Sequence, residues 1–194
     1  MTTHWMTIGM ALMAGAGTAG SAAARPPPGR LKPVTVEERP ALRVAYVEQV
    51  GNFQANPAIY DVLLEQLLAW AIPDNRWDFP AKTQIACIYP DDPETTPPDQ
   101  QRLWLGITID EHAAPPEPIR TLTLPAGLHA VGRFSVPSDQ FGLAWGYMYG
   151  EWMAQSGHLP AGLAFEIQWN DSSEDPEQKH RIDICIPVRP LPAP

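Results

Sequence analysis

Apolar residues recur along this chain in two rhythms, and the rhythms alternate in a fixed order. In "ALRVAYVEQVG" they form a strand-like run. "NPAIYDVLLEQLLAWA" switches to steps of three and four, which predicts a helix with Ile59, Val62, Leu63, Leu67 and Trp70 on one face. "TQIACIYPDD" and "RLWLGITI" return to strand. After the Pro-rich connection "EHAAPPEP" the order recurs: "LHAVGRFS" as strand, "FGLAWGYMYGEWMAQSG" as helix, then "LAFEIQWND" and "HRIDICIPV" as strands. The offset is about 80 residues throughout, a period that points to duplication.

Alternation also assigns faces. Leu103, Leu105, Ile107 and Ile109 share one face, as do Ile182, Ile184 and Ile186, and these are expected beneath the helices. Trp104, Arg181, Asp183 and Cys185 take the other. Joined side by side, the two modules would leave those other faces to form one shared groove, into which Glu166, Gln168 and Trp104 would look.

The expected fold class is therefore α+β, with duplicated β-α-β-β modules over about 33–112 and 119–190, pseudo-two-fold symmetry and a central ligand groove. The domain is placed at 33–194. Ahead of it, "MTTHWMTIGMALMAGAGTAGSAAA" has no charged side chain, and its apolar run turns Ala-rich before Arg25 in the layout of a signal peptide, although Lys and Arg are missing from its start. "RPPPGRLKP" follows as a stiff spacer, so residues 1–32 read as extension and linker. If the segment is a signal peptide the protein is exported, periplasmic or secreted; if it is retained it is the one route to a membrane; otherwise the protein is cytoplasmic.

Composition narrows the function. Hydrophobic residues make up 44% and charged ones 18%, with seven Trp, as in a globular domain. A net charge of −9 without any Lys/Arg cluster argues against a phosphate-tracking surface, so direct nucleic-acid binding is not expected. Cys87 and Cys185 lie in apolar strand-like runs and read as buried thiols, or as one disulfide if the protein is exported. His4, His112, His129, His158 and His180 are scattered without ligand spacing, so no metal or other cofactor is expected. "YPDDPETTPPD" reads as a stiff turn and not a cation loop. Arg102 and Arg181 open matching strands and read as salt-bridged edge residues.

One acid stands out. In "GLAFEIQWND" the apolar Phe165, Ile167 and Trp169 alternate with Ala164, Glu166 and Gln168, and a carboxylate lining an apolar cavity demands a cationic or proton-donating partner. Overlaying the repeats puts Cys87 at the place of Glu166 and Tyr89 at that of Gln168, so the acid belongs to one half alone. On the second helix Phe141, Trp145, Met148, Tyr149 and Trp152 recur at three- and four-residue steps, a stripe that reads first as core, with Tyr149 set apart because a buried hydroxyl needs a partner. Gly157 falls where a left-handed cap would end that helix.

In order and spacing, "VTVEERPALRVAYVEQVGNF", "IYPDDPETTP", "LPAGLHAV", "YGEWMAQSGH", "FEIQWND" and "IDICIPV" resemble the GyrI-like small-molecule-binding family, which includes the effector-binding domains of AraC- and MerR-type multidrug-sensing regulators. The resemblance spans about residues 33–189 and implies a duplicated strand-helix-strand-strand fold with a central pocket. It implies that Glu166 occupies the place of the acid at the base of an aromatic pocket in members that sense lipophilic cations. The chain departs from the family's pattern at Gln168, at Phe53 in "GNF", and at "RFSVPSDQF", so its pocket chemistry is expected to differ.

The first functional reading is a stand-alone module for a hydrophobic, aromatic or cationic small molecule, with Glu166, Tyr149, Trp104, Tyr46, Tyr89, Trp145 and Gln168 as candidate ligand-binding residues. A hydrolase of electrophilic, cyclopropanoid-type natural products is the alternative, with Glu166 activating water and Tyr149 donating a proton; no triad or metal motif supports it, and the balance leans against an enzyme. A third reading is a protein-protein interaction module such as a gyrase inhibitor. About 30 residues ahead of the domain are too few for a helix-turn-helix pair, so a regulator role is not expected of this chain.

Overall fold

A computed structural model describes residues 29–192 of the chain; the signal-peptide expectation for residues 1–24 and the proline run at 26–28 lie outside them. The strands are β1 (Thr35–Arg39), β2 (Leu42–Val50), β3 (Ile85–Ile88), β4 (Arg102–Thr108), β5 (Arg120–Leu124), β6 (Gly127–Val136), β7 (His158–Pro160), β8 (Phe165–Gln168) and β9 (His180–Pro190). Helix α1 covers Ala58–Ala71, and α2 (Phe141–Gly146) runs on into π-helical turns over Tyr147–Met153.

The strands form one antiparallel sheet in the order β1-β6-β9-β8-β3-β4-β2-β5, with β7 paired to the end of β9. This order reads the same from either edge when β1 is exchanged for β5, β2 for β6, β3 for β8 and β4 for β9. At its centre β3 pairs with β8, and Cys87 lies directly opposite Glu166. The two positions that the repeat overlay makes equivalent are thus neighbours across the local two-fold.

Two short connectors set the curvature. β1 lies at one edge and β2 next to the other, yet only Pro40 and Ala41 join them; Pro125 and Ala126 alone join β5 to β6. Three Cα steps reach at most about 11 Å, so both edges are drawn together at this end and the sheet curls into a half-barrel. The first strand of each module accordingly pairs with the other module, β1 with β6 and β5 with β2. The sequence rhythm did not predict β1, β5 or β7, which are short and largely polar or edge-like.

Curling buries both faces of the sheet. Leu103, Leu105, Ile107, Ile182, Ile184 and Ile186 pack beneath α1 and α2 as expected. The opposite face carries a second apolar cluster that includes Val44, Ile88, Val131, Phe165, Ile167 and Cys185. No helix among the described residues covers it, and its side chains are buried by the strands that close over them.

One expectation is corrected here, and of the two readings of the cysteines the buried thiols stand. The buried arc of α1 is Tyr60, Leu63, Leu64, Leu67, Leu68 and Ala71, while Val62 is 48% exposed; apolar residues ring most of this helix, so periodicity alone placed the arc one position off. Cys87 and Cys185 are both free, lie on opposite faces of the sheet and sit on strands separated by β8, so they do not form a disulfide.

Candidate functional site

Register decides where Glu166 points. It pairs with Cys87 on β3 and Ile184 on β9, and Cys87 pairs with Leu105, so the whole row faces the helices. The expectation that Glu166 and Gln168 share a groove with Trp104 is therefore corrected. Phe165 and Ile167 fill the inside of the curl, which turns the polar residues of β8 toward α2. Trp104 and Tyr46 lie on the other face, with ring centroids 5.0 Å apart, and the Trp104 indole donates to Glu48 Oε2 at 2.8 Å.

Of the seven candidate residues, five come together: Glu166, Gln168, Tyr89, Trp145 and Tyr149. Tyr89 follows β3 and meets Trp145 edge-on at 5.6 Å. Trp145 and Tyr149, one helical turn apart, stack at 6.1 Å. They sit where α-helical winding gives way to π-helical winding, an irregularity common at functional sites. These three rings and Ala164 line a cavity of about 390 Å³ whose rim is the loop from Pro90 to Glu94. Its volume suits a drug-sized ligand. Two aromatics that sequence reasoning did not single out as site residues support this wall: Phe53 lies 6.3 Å from Tyr89, and Tyr60 of α1 lies 6.5 Å from Phe53, edge-on. A tyrosine inside an otherwise aliphatic helical stripe was the available signal for Tyr60.

Glu166 lies one pleat behind Ala164 and is fully buried. Its Oε2 accepts the Trp145 indole N–H at 3.1 Å. The Cys87 thiol and Gln168 amide adjoin the carboxyl and favour its charged form, but Oε1 and Gln168 Nε2 make no hydrogen bond of ordinary geometry. Burial outweighs these helpers and pushes the Glu166 pKa up to about 8. The carboxyl is thus mostly protonated at neutral pH. The Tyr149 phenol is pushed up to about 12 by burial and by Asp92 on the rim. Tyr149 and Asp92 line the same cavity, and no hydrogen bond joins the Tyr149 phenol to the Glu166 carboxyl among the described residues.

A larger cleft of about 760 Å³ opens at the far end of α1, around Arg76, Trp77, Thr83 and Asp110. Its charges are already paired, Arg76 with Asp110 at 2.6 Å and Lys82 with Asp78 at 3.5 Å, and the Thr83 hydroxyl is held by the backbone of Arg76 and Asp78. The cavity beside α2 is smaller but holds the unsatisfied acid, which makes it the candidate site. The edge arginines behave as expected: Arg102 binds Asp91 at 2.6 Å, and Arg181 approaches Asp175 at 3.9 Å.

Comparison with known proteins agrees with this fold. The chain is 30% identical over 146 residues to a DNA gyrase inhibitor of Yersinia enterocolitica, covering 72% of this chain and 87% of that protein. Its fold is similar to the EcmrR C-terminal domain (TM-score 0.59, 14% identity, covering 83% of this chain and 99% of that one). It is also similar to SAV2435 bound to tetraphenylphosphonium (TM-score 0.55, 12% identity, covering 81% and 94%). The model of the GyrI-like small molecule binding domain matches residues 32–189. With a fold, a register and a family model in agreement over nearly all of the described residues, the chain belongs to the GyrI-like family of small-molecule-binding domains.

Proposed function

We propose that this chain binds a lipophilic cation in the cavity beside α2, with Glu166 as its counter-charge. The observation that carries this reading is the carboxyl itself: wholly buried, with Trp145 donating to Oε2 and no hydrogen bond of ordinary geometry on Oε1. An uncompensated buried carboxylate is costly, and an incoming cation offsets that cost. Aromatic faces add cation–π attraction of about 0.5–2 kcal/mol each. Because Trp145 stands between cavity and acid, the ligand reaches Glu166 by displacing the indole, and its charge replaces the indole N–H. The tetraphenylphosphonium ligand of SAV2435 supports a ligand of this kind.

The test compares tetraphenylphosphonium with neutral triphenylphosphine oxide on the wild-type protein and on Glu166→Gln. The reading expects the variant to lose at least about tenfold in affinity for the cation and to keep the neutral compound unchanged. Equal losses for both would overturn charge pairing.

A second reading, inhibition of DNA gyrase, is favoured by the Yersinia relative. It requires a cytoplasmic protein. Fractionation of cells together with a supercoiling assay tests it, and a purely exported protein or unaffected supercoiling would rule it out.

A further inference from the structure

The cavity has two acidic ends of different kinds, one buried and one exposed. We propose that its preferred ligand is an elongated dication, two cationic centres joined by an apolar stretch; this rests on the cation reading of the same cavity. At the base are Glu166 and Gln168, whose Oε1 and Nε2 make no hydrogen bond of ordinary geometry, both with less than one-tenth of their surface exposed. At the mouth is the loop from Pro90 to Glu94, where three carboxylates have different fates.

Asp91 is committed. It takes the Arg102 guanidinium at 2.6 and 3.0 Å and the Arg102 backbone N–H at 2.8 Å, which holds its carboxyl below the usual range. The Asp92 carboxylate accepts the Glu94 backbone N–H of its own turn at 2.9 Å and no other hydrogen bond among the described residues, and neither Asp92 nor Glu94 makes an ion pair among them. Among the described residues no Lys or Arg lines the cavity. Asp92 lines the same cavity as Tyr149, and its charge helps to raise the Tyr149 phenol. Besides that loop, the cavity is lined by Tyr89, Trp145, Tyr149, Gly162, Leu163 and Ala164.

A monocation satisfied at Glu166 leaves two uncompensated carboxylates at the mouth. A second cationic centre there meets both, in a high dielectric where each contributes modestly. Together they should strengthen binding by about tenfold at low salt.

Decamethonium and decyltrimethylammonium share one chain and differ in the second ammonium, which makes them the probes. Isothermal titration at low salt should show decamethonium binding about tenfold more tightly. The double variant Asp92→Asn/Glu94→Gln keeps the turn-capping oxygen and should abolish that preference while leaving decyltrimethylammonium within about twofold. Equal affinities in the wild-type protein, or a preference that survives the double variant, overturn the dication proposal. If neither alkylammonium binds but tetraphenylphosphonium does, the dication proposal falls and the cation reading stands. If none of the three binds, both fall together.

Discussion

Glu166 has a pKa of about 8 where an ordinary glutamate has 4.5. Between those values the folded protein holds a proton that the unfolded chain releases. This group's contribution to stability is therefore greatest below pH 4.5 and is lost as pH rises through 8. Glu166→Gln should remove that loss, raising stability by on the order of 2–4 kcal/mol at pH 9 and by little at pH 5, as read from urea unfolding at the two pH values. Trp145→Phe keeps the ring and deletes the N–H on Oε2. We expect it to cost about 1–3 kcal/mol and to push the Glu166 pKa higher, measurable by NMR titration of the carboxyl carbon. The acid was legible in the sequence because a glutamate among alternating apolar residues has few explanations. Its partner was not, since only the fold brings α2 over β8.

At the scale of elements, the strand under α2 has no room to spare. A Cβ on Gly132 of β6 would stand 2.4 Å from Met148 Sδ and 2.7 Å from Phe134 Cε2. Gly132→Ala should therefore cost about 1–3 kcal/mol, and because methionine can yield, the double variant with Met148→Ala should cost less than the sum of the two single changes. Additive costs in a thermal unfolding cycle would show that α2 does not pack on β6 this closely. Two helices and six strands of the fold followed from rhythm alone. The face of β8 did not, because assigning it assumed that one side of the sheet is open; Phe165 and Ile167 fill a second core that exists only once the sheet has curled. β1 and β5 escaped for a related reason. Five-residue strands of mostly exposed residues gain their place from pairing with the other module, which no local pattern encodes.

For the molecule as a whole, the connectors Pro40–Ala41 and Pro125–Ala126 close the sheet over one core and leave the helices, with the site beside α2, on the other face. Two buried groups then shape its stability in opposite senses. His180, packed edge-on to Phe141 at 5.1 Å, is lowered to about 4, so its contribution is present above pH 6.5 and lost as pH falls toward 4. The Glu166 and His180 slopes oppose one another between pH 4.5 and 6.5, and above 6.5 the Glu166 loss stands alone. The wild-type protein should lose stability from pH 6.5 to 8, and Glu166→Gln should not. A ligand cation completes the same linkage, because pairing with it ionises Glu166 and expels the proton. The measurement that tests this most directly is calorimetric titration with tetraphenylphosphonium at pH 7 in buffers of different ionisation enthalpy, repeated from pH 6 to 9. The expected result is release of close to one proton per cation bound, with affinity rising nearly tenfold per pH unit below 8 and levelling above it. Binding with no proton release and no dependence on pH would contradict Glu166 as the counter-charge.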